Sequence, residues 1–175
     1  MATTDHEFPQ IDDGTTGWGG TDRARWETLD GLVPYVAFNV YTIDNDAVTE
    51  IATQDVPVRV EYGAAETVAA NGSMTLDVDG IHYQGDRARL VTVTVSAAVE
   101  SVGNNQRYLF TLRKNDVAIP QLRARARIGS GGDVETVSAV GLVTLEQGET
   151  LTVWVQNEVS DNNLIVVDGS IVVRG

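Results

Sequence analysis

The most ordered polar feature of this chain is Arg123, Arg125 and Arg127, alternating with Ala124 and Ala126. In an extended strand all three arginines project from one face, about 7 Å apart along the strand. Like charges at that spacing repel unless they are paired or solvated. Three readings stand open. One is a ladder between subunits, with Glu135 or Asp133 across the hairpin or acids of the next protomer. Another is a site for an anionic glycan or a phosphate. The third is a solvated face paired across its own hairpin. The alanines leave room for a close packing partner on their side. Arg87 with Arg89, and Arg23 with Arg25, form shorter versions.

Catalytic chemistry has little to work with. The histidines are His6 and His82, and only His82 has Asp77, Asp79 and Ser73 close in sequence. A nucleophile, base and orienter must touch, and no Gly-x-Ser-x-Gly elbow occurs. Pairs of carboxylates are uninformative among 25 acidic residues. No enzyme is therefore expected. With no cysteine, disulfides, thiolate zinc sites and cysteine nucleophiles are excluded. The loops Asp44-Asn45-Asp46, Asp77-x-Asp79 and Asp161-Asn162-Asn163 are oxygen-rich and would suit Ca2+. None has the twelve-residue calcium-loop pattern, and ordinary Asx turns are the favoured explanation. No cofactor is expected beyond that option. Gly129-Ser130-Gly131-Gly132 lacks the lysine and helix of a phosphate loop.

Charge divides the chain. The formal net charge is −13 over 175 residues. Residues 1–60 hold 11 acidic residues against 3 arginines, a net of −8. This balance argues against any broad nucleic-acid surface. Apolar runs are too short to span a bilayer, so no membrane insertion is expected. The first seven residues lack both a basic start and an apolar core, so no signal peptide is expected. Residues 1–31 read as an arm. Asp12 to Thr21 is turn chemistry, and Asp22 to Asp30 has room for one or two helical turns ending at Gly31. Trp18, Trp26 and Leu29 sit there without a core of their own. That is the profile of aromatic anchors docking on another protein, or of an arm folding back on its own domain.

From residue 32 the pattern is β. Val36, Phe38 and Val40 alternate with polar or small residues, as do Val56, Val58, Val60 and Tyr62. Pro57 gives the second run an irregular or edge character. Val91, Val93, Val95, Ala97 and Val99 face one way, with Thr92, Thr94, Ser96 and Glu100 facing the other. Further strands are predicted over 107–114, 117–128, 134–145, 150–159 and 164–173. Turn clusters separate them at 103–105, 115–116, 129–132, 147–148 and 160–163. Such strands, with regular turns and no repeat, predict an antiparallel sandwich or barrel.

Three stretches then resemble the C1q/TNF-like jelly-roll family, including its bacteriophage versions. Asp79-Gly80-Ile81-His82-Tyr83 is similar to the family's Gly-x-Tyr strand, opening into a long alternating strand. Phe110 to Asp116 resembles its Phe-x-Leu-x-Lys-Asn-Gly hairpin, with Asp116 where glycine is usual. Leu145 to Val155 resembles its Leu-x-x-Gly-Asp-x-Val-x-Val, with Glu149 for aspartate. The aromatic that usually precedes the family's last glycine is missing at Asp168-Gly169. In the arm, Asp13 to Gly19 followed by Trp26 to Asp30 is similar to the start of many phage appendage proteins. The resemblance implies an all-β jelly-roll sandwich over 32–175, with an extended arm over 1–31. It implies a homotrimer on a virion surface, assembled in the host cytoplasm. The arm would hold a major capsid protein or another virion protein, and the jelly roll would stiffen the shell or meet a host glycan. A head decoration or spike protein fits this length. A tail fibre or appendage protein, or a free-standing C1q-like binding module, is the alternative.

Overall fold

A valine at every second residue buries one side of a strand and leaves the other side open, and this rule lays out the molecule. The computed structural model describes residues 37–44, 46–63, 65–69, 73–77 and 80–175. The expected arm, with Trp18, Trp26 and Leu29, lies outside the described residues.

In chain order the strands are β1 (Ala37–Thr42), β2 (Ala47–Thr49), β3 (Val58–Arg59), β4 (Glu66–Ala69), β5 (Met74–Asp77) and β6 (Gly80–Tyr83). They continue as β7 (Arg89–Ser101), β8 (Gln106–Lys114), β9 (Val117–Ile128), β10 (Glu135–Leu145), β11 (Thr150–Asn157) and β12 (Leu164–Arg174). Two antiparallel sheets result. The first runs β10-β7-β12-β1-β4, with β2 also on β12; the second runs β5-β6-β11-β8-β9, with β3 also on β11. Neighbours in each sheet are mostly distant in sequence, as in a jelly roll; β5–β6 and β8–β9 are the hairpins. The sheets stack over one apolar core. Val91, Val93 and Val99 of β7, Val153 and Val155 of β11, and Ile171 and Val173 of β12 meet there. Among the described residues no helix is long and apolar enough to cross a membrane.

The five long strands from 107 onward match the expected spans to within two residues at each end. Elsewhere the structure differs. The run from Val56 to Tyr62 contributes only the two-residue β3, and Val56 is exposed. Asp55 has φ +60 and its N–H donates to the Asn157 carbonyl, so the chain turns there. Pro57 has no N–H to give to a ladder. Gly80–Tyr83 does not open into the long strand. It forms β6 in the second sheet, and the chain crosses over before β7 begins. Strands β2, β4 and β5 are three or four residues long, too short for a pattern to single them out, although Met74 and Leu76 of β5 do alternate with Thr75 and Asp77.

Local chemistry explains the three family-like stretches, and they meet in space. Asn115 (φ +49) and Asp116 (φ +62) form a two-residue turn between β8 and β9. Both central residues at positive φ is the type I′ geometry that matches strand twist. Gly80 has φ +127, and a Cβ there would lie 2.7 Å from the Leu151 carbonyl oxygen, so only glycine fits. Gly148 N–H donates to the Tyr83 carbonyl at 2.8 Å, and Tyr83 N–H to the Glu149 carbonyl at 2.9 Å. Asn115 N–H donates to the Thr150 carbonyl, and Thr150 N–H to Asn115 Oδ1, each at 2.9 Å. Lys114 Nζ lies 2.8 Å from Glu149 Oε1. The three motifs therefore close one end of the second sheet together.

The opposite end is held by a polar network. Tyr108 donates to Ser101 Oγ at 2.7 Å, and Asn157 Nδ2 donates to Gln106 Oε1 at 2.9 Å. Ser101, Gln106, Tyr108 and Asn157 are buried, so these bonds offset the cost of taking their polar groups out of water.

Candidate functional site

Because β9 alternates, Ala124 and Ala126 turn inward while Arg123, Arg125 and Arg127 turn to solvent. The small inner residues are matched to the molecule's own other sheet. Leu122 of β9 packs so closely on Gly141 of β10 that a Cβ at 141 would lie 2.9 Å from Leu122 Cδ2. The close partner on the alanine side is thus intramolecular. Within the chain Asp133 and Glu135 do not pair with these arginines, because β10 belongs to the first sheet. Asp133 instead accepts from Ser130 N–H within its turn.

The arginines meet other neighbours across β8. Register sets Arg127 opposite Arg107, Arg125 opposite Leu109 and Arg123 opposite Thr111. Glu158, just beyond β11, joins two of these strands. Arg107 Nε donates to Glu158 Oε2 at 2.6 Å, and Arg125 Nη2 donates to Oε1 at 3.1 Å. The hydrogen bond from Arg125 holds the Glu158 carboxyl below its ordinary value; burial opposes this and Arg107 adds to it. The same contact raises Arg125. Among the described residues, Arg123 and Arg127 make no hydrogen bond or ion pair. Further along the face, the Arg113 guanidinium lies 4.1 Å from the Trp154 ring centroid. Its Nε is buried without a hydrogen-bond partner. Arg59 of β3 stands opposite Trp154. Arg59, His82, Asn115, Asp116, Thr150 and Thr152 line a recess of about 260 Å³ on this side.

His82 is held on both sides. Its Nε2 is 2.9 Å from Asp77 Oδ1 and its Nδ1 is 3.1 Å from Thr150 Oγ1. Thr150 was missed from the sequence, since 68 residues separate it from His82. The Thr150 N–H donates to Asn115 Oδ1, which ties the residue to the β8–β9 turn as well. The trio ties β5, β6 and β11 together.

The oxygen-rich loops stay apart. Asp44 N–H donates to Asp168 Oδ1 at 3.1 Å, and Asp46 is exposed. Asp161 is exposed on a loop shaped by Asn157, whose Oδ1 accepts from Val159 and Ser160 N–H. Among the described residues no three acidic or histidine side chains converge.

The outward face of the first sheet is chemically different. One register row runs Val140, Thr94, Val172, Asn39 and Val68 across β10, β7, β12, β1 and β4. The next runs Ser138, Ser96, Ser170 and Tyr41, ending at Glu66, which accepts from the Tyr41 hydroxyl. Leu90, Val140, Leu142 and Val68 are each more than half exposed. The centre of this face holds no charge.

Two stacked antiparallel sheets with these crossovers define the fold as the C1q/TNF-like jelly roll. Solved structures agree. Murine APRIL matches with a TM-score of 0.53 at 10% identity, covering 79% of this chain and 98% of that one. The Eiger TNF of S. frugiperda matches at 0.53 and 14% identity, covering 81% and 92%. The vertex protein P5 of PRD1 matches at 0.53 and 14% identity, covering 79% and 95%. No protein-family model and no curated protein matches the sequence.

Proposed function

We propose that this chain is a structural protein of a virion surface, a phage head decoration or spike protein, that associates with itself through the first sheet. The observation that carries the reading is the uncharged outward face around Val140, Thr94, Val172 and Asn39. A patch with exposed valine and leucine at Val68, Leu90, Val140 and Leu142 on an acidic chain is the kind of surface that another copy covers. The jelly-roll resemblance supports a trimer. A vertex is a place on a shell, and the fold is shared with a vertex protein. The acidic arm, with Trp18, Trp26 and Leu29, is the segment that would dock on a capsid protein. The jelly roll would then stand outward, reinforcing a shell contact or meeting the host surface, without a catalytic step.

Two measurements test this. Native mass spectrometry of the full chain is expected to give a trimer, and Val140→Asp with Val172→Asp to give a monomer that keeps its β circular dichroism. Deletion of residues 1–31 is expected to leave a folded oligomer that no longer decorates particles under immunogold microscopy. A monomeric full chain would overturn the self-association. A truncated chain that still labels particles would overturn the role of the arm.

A further inference from the structure

We infer that the outward face of the second sheet binds an acidic polysaccharide along Arg123, Arg125, Arg127 and Arg107. Three observations on that face converge. First, register places Arg107 and Arg127 directly opposite each other. Their Cα atoms are about 5 Å apart. Like charges so placed destabilise a strand pair. Second, the counter-charge is incomplete. Glu158 serves Arg107 and Arg125, while Arg123 and Arg127 make no hydrogen bond or ion pair among the described residues. A chain with 25 acidic residues has ample material to neutralise four arginines, yet Asp133 and Glu135, the nearest in sequence, serve other places. Third, the cations are arginine in a chain with a single lysine, Lys114. The planar guanidinium fork pairs two-pronged with carboxylate or sulfate, which an ammonium cannot do.

The shape selects the ligand class. The arginines of β9 span about 14 Å along the strand, on an open face rather than in a pocket. A second cationic line crosses it. Arg123, Thr111, Trp154 and Arg59 share one register row, which ends at the recess beside His82. An extended polymer with acidic groups at intervals can reach several of these cations at once, whereas a small anion reaches one or two. Duplex nucleic acid carries one charge per about 1.7 Å of length, so a molecule of net charge −13 repels it more strongly than an extended polymer with acidic groups at wider intervals. The arginine line on β9 also carries no exposed aromatic anchor for a protein partner. This inference deepens the host-surface part of the proposed function and rests on it only for the biological setting. A chain that binds acidic glycans but joins no particle fails that reading alone, and a particle protein that binds none fails this inference alone.

The experiment is titration calorimetry of the full chain with polygalacturonate, dextran sulfate, neutral dextran and duplex DNA over a range of NaCl concentrations. Binding is expected to polygalacturonate or dextran sulfate, weakening as salt rises, with none to neutral dextran. The stronger of the two acidic polymers tells whether carboxylate or sulfate is the natural group. Arg123→Gln with Arg127→Gln is expected to lower affinity about tenfold or more, as loss of two ionic contacts implies. Arg123→Lys with Arg127→Lys should recover only part of it, and Arg87→Gln, off the strip, should change nothing. Circular dichroism checks folding, and the single Arg127→Gln, which relieves Arg107, serves as the milder variant. No binding to either acidic polymer would overturn the inference, as would undiminished binding by the glutamine variants or equal affinity for DNA. A loss of oligomer mass in the double variant would instead assign the arginines to a subunit contact.

Discussion

The two outward faces of this sandwich obey the same alternation and differ in what alternation exposes. On the first sheet the middle of the outward face, where β10, β7, β12 and β1 meet, presents valine, threonine, serine and asparagine, while Glu100, Asp168 and Arg174 lie outside those rows and Glu66 at the edge of one. On the second sheet they include Arg107, Arg113, Arg123, Arg125 and Arg127. The inner faces are alike, a close-packed layer of valine, leucine, isoleucine and aromatic rings. Stability of the single chain therefore cannot explain the contrast, because outward residues contribute little to a core. The difference lies in what each face can leave water for. Methyl groups, and hydroxyls that find a hydrogen-bond partner, can be covered by another copy at less cost than an unpaired charge, while unpaired guanidinium groups favour an anion.

The largest expected effect is on the first face. Two carboxylates at Val140 and Val172 would be buried without partners in an oligomer. At several kcal/mol each, subunit affinity should fall by at least about a thousandfold, read by sedimentation, while anion binding by the second face persists. Gly80→Ala comes next. Its Cβ would collide with the Leu151 carbonyl at an unfavourable φ, and a loss of about 3 kcal/mol in urea unfolding is expected. Hydrogen exchange should show β6 and β11 opening before β12.

Acid should separate the two sheets as well. The Glu158 carboxyl is held below its ordinary value by Arg125 and Arg107. Burial raises Glu149, but the hydrogen bond from Lys114, the one from Glu146 N–H, the Lys114 charge and Asn115 together bring it down. A carboxyl lowered by folding stabilises the native state above its unfolded value. That stability is lost as pH falls through the lower folded value. Both groups flank β11 of the second sheet, so as pH falls through the carboxyl range and below it the amides of that sheet should lose protection before those of the first sheet, while between neutral pH and that range neither should change. Equal loss in both would break the comparison.

Glu158→Gln gives a smaller effect with two signs. Losing its charge-assisted bonds should cost about 1 kcal/mol in thermal unfolding. Removing the carboxylate among four arginines should meanwhile strengthen polyanion binding several-fold. Asp116→Gly is the smallest. Asp116 adopts φ +62, a region where glycine is free of strain, so a gain of about 0.5 kcal/mol is expected with both faces unchanged.

The jelly roll was legible because its signals are local. The run Val91 to Val99 states its own periodicity, and Asn115-Asp116 and Gly148 mark turns through their tolerance of positive φ. The strands that escaped notice, β2, β4 and β5, are three or four residues long. Their place is fixed by neighbours on β12, β1 and β6, because so short a run states no period by itself. The same limit applied to the arginines. Alternation put Arg123, Arg125 and Arg127 on one face, but their partner was sought in Asp133 and Glu135, close in sequence. The actual partner of Arg125 is Glu158, 33 residues away, because crossovers send β10 to the other sheet.

The sequence by itself determined which side of each long strand is apolar, where the chain turns, and that 11 of its 12 basic residues are arginine. These follow from side-chain period and backbone freedom, which act within a few residues. Only the tertiary structure decided that the three glycine- and turn-bearing motifs close one end together, that Arg107 and Arg127 face each other, and that one sheet turns outward a face uncharged at its centre while the other turns a cationic one. Sheet order and register bring those residues together across dozens of positions, and no local pattern encodes which strands will be neighbours.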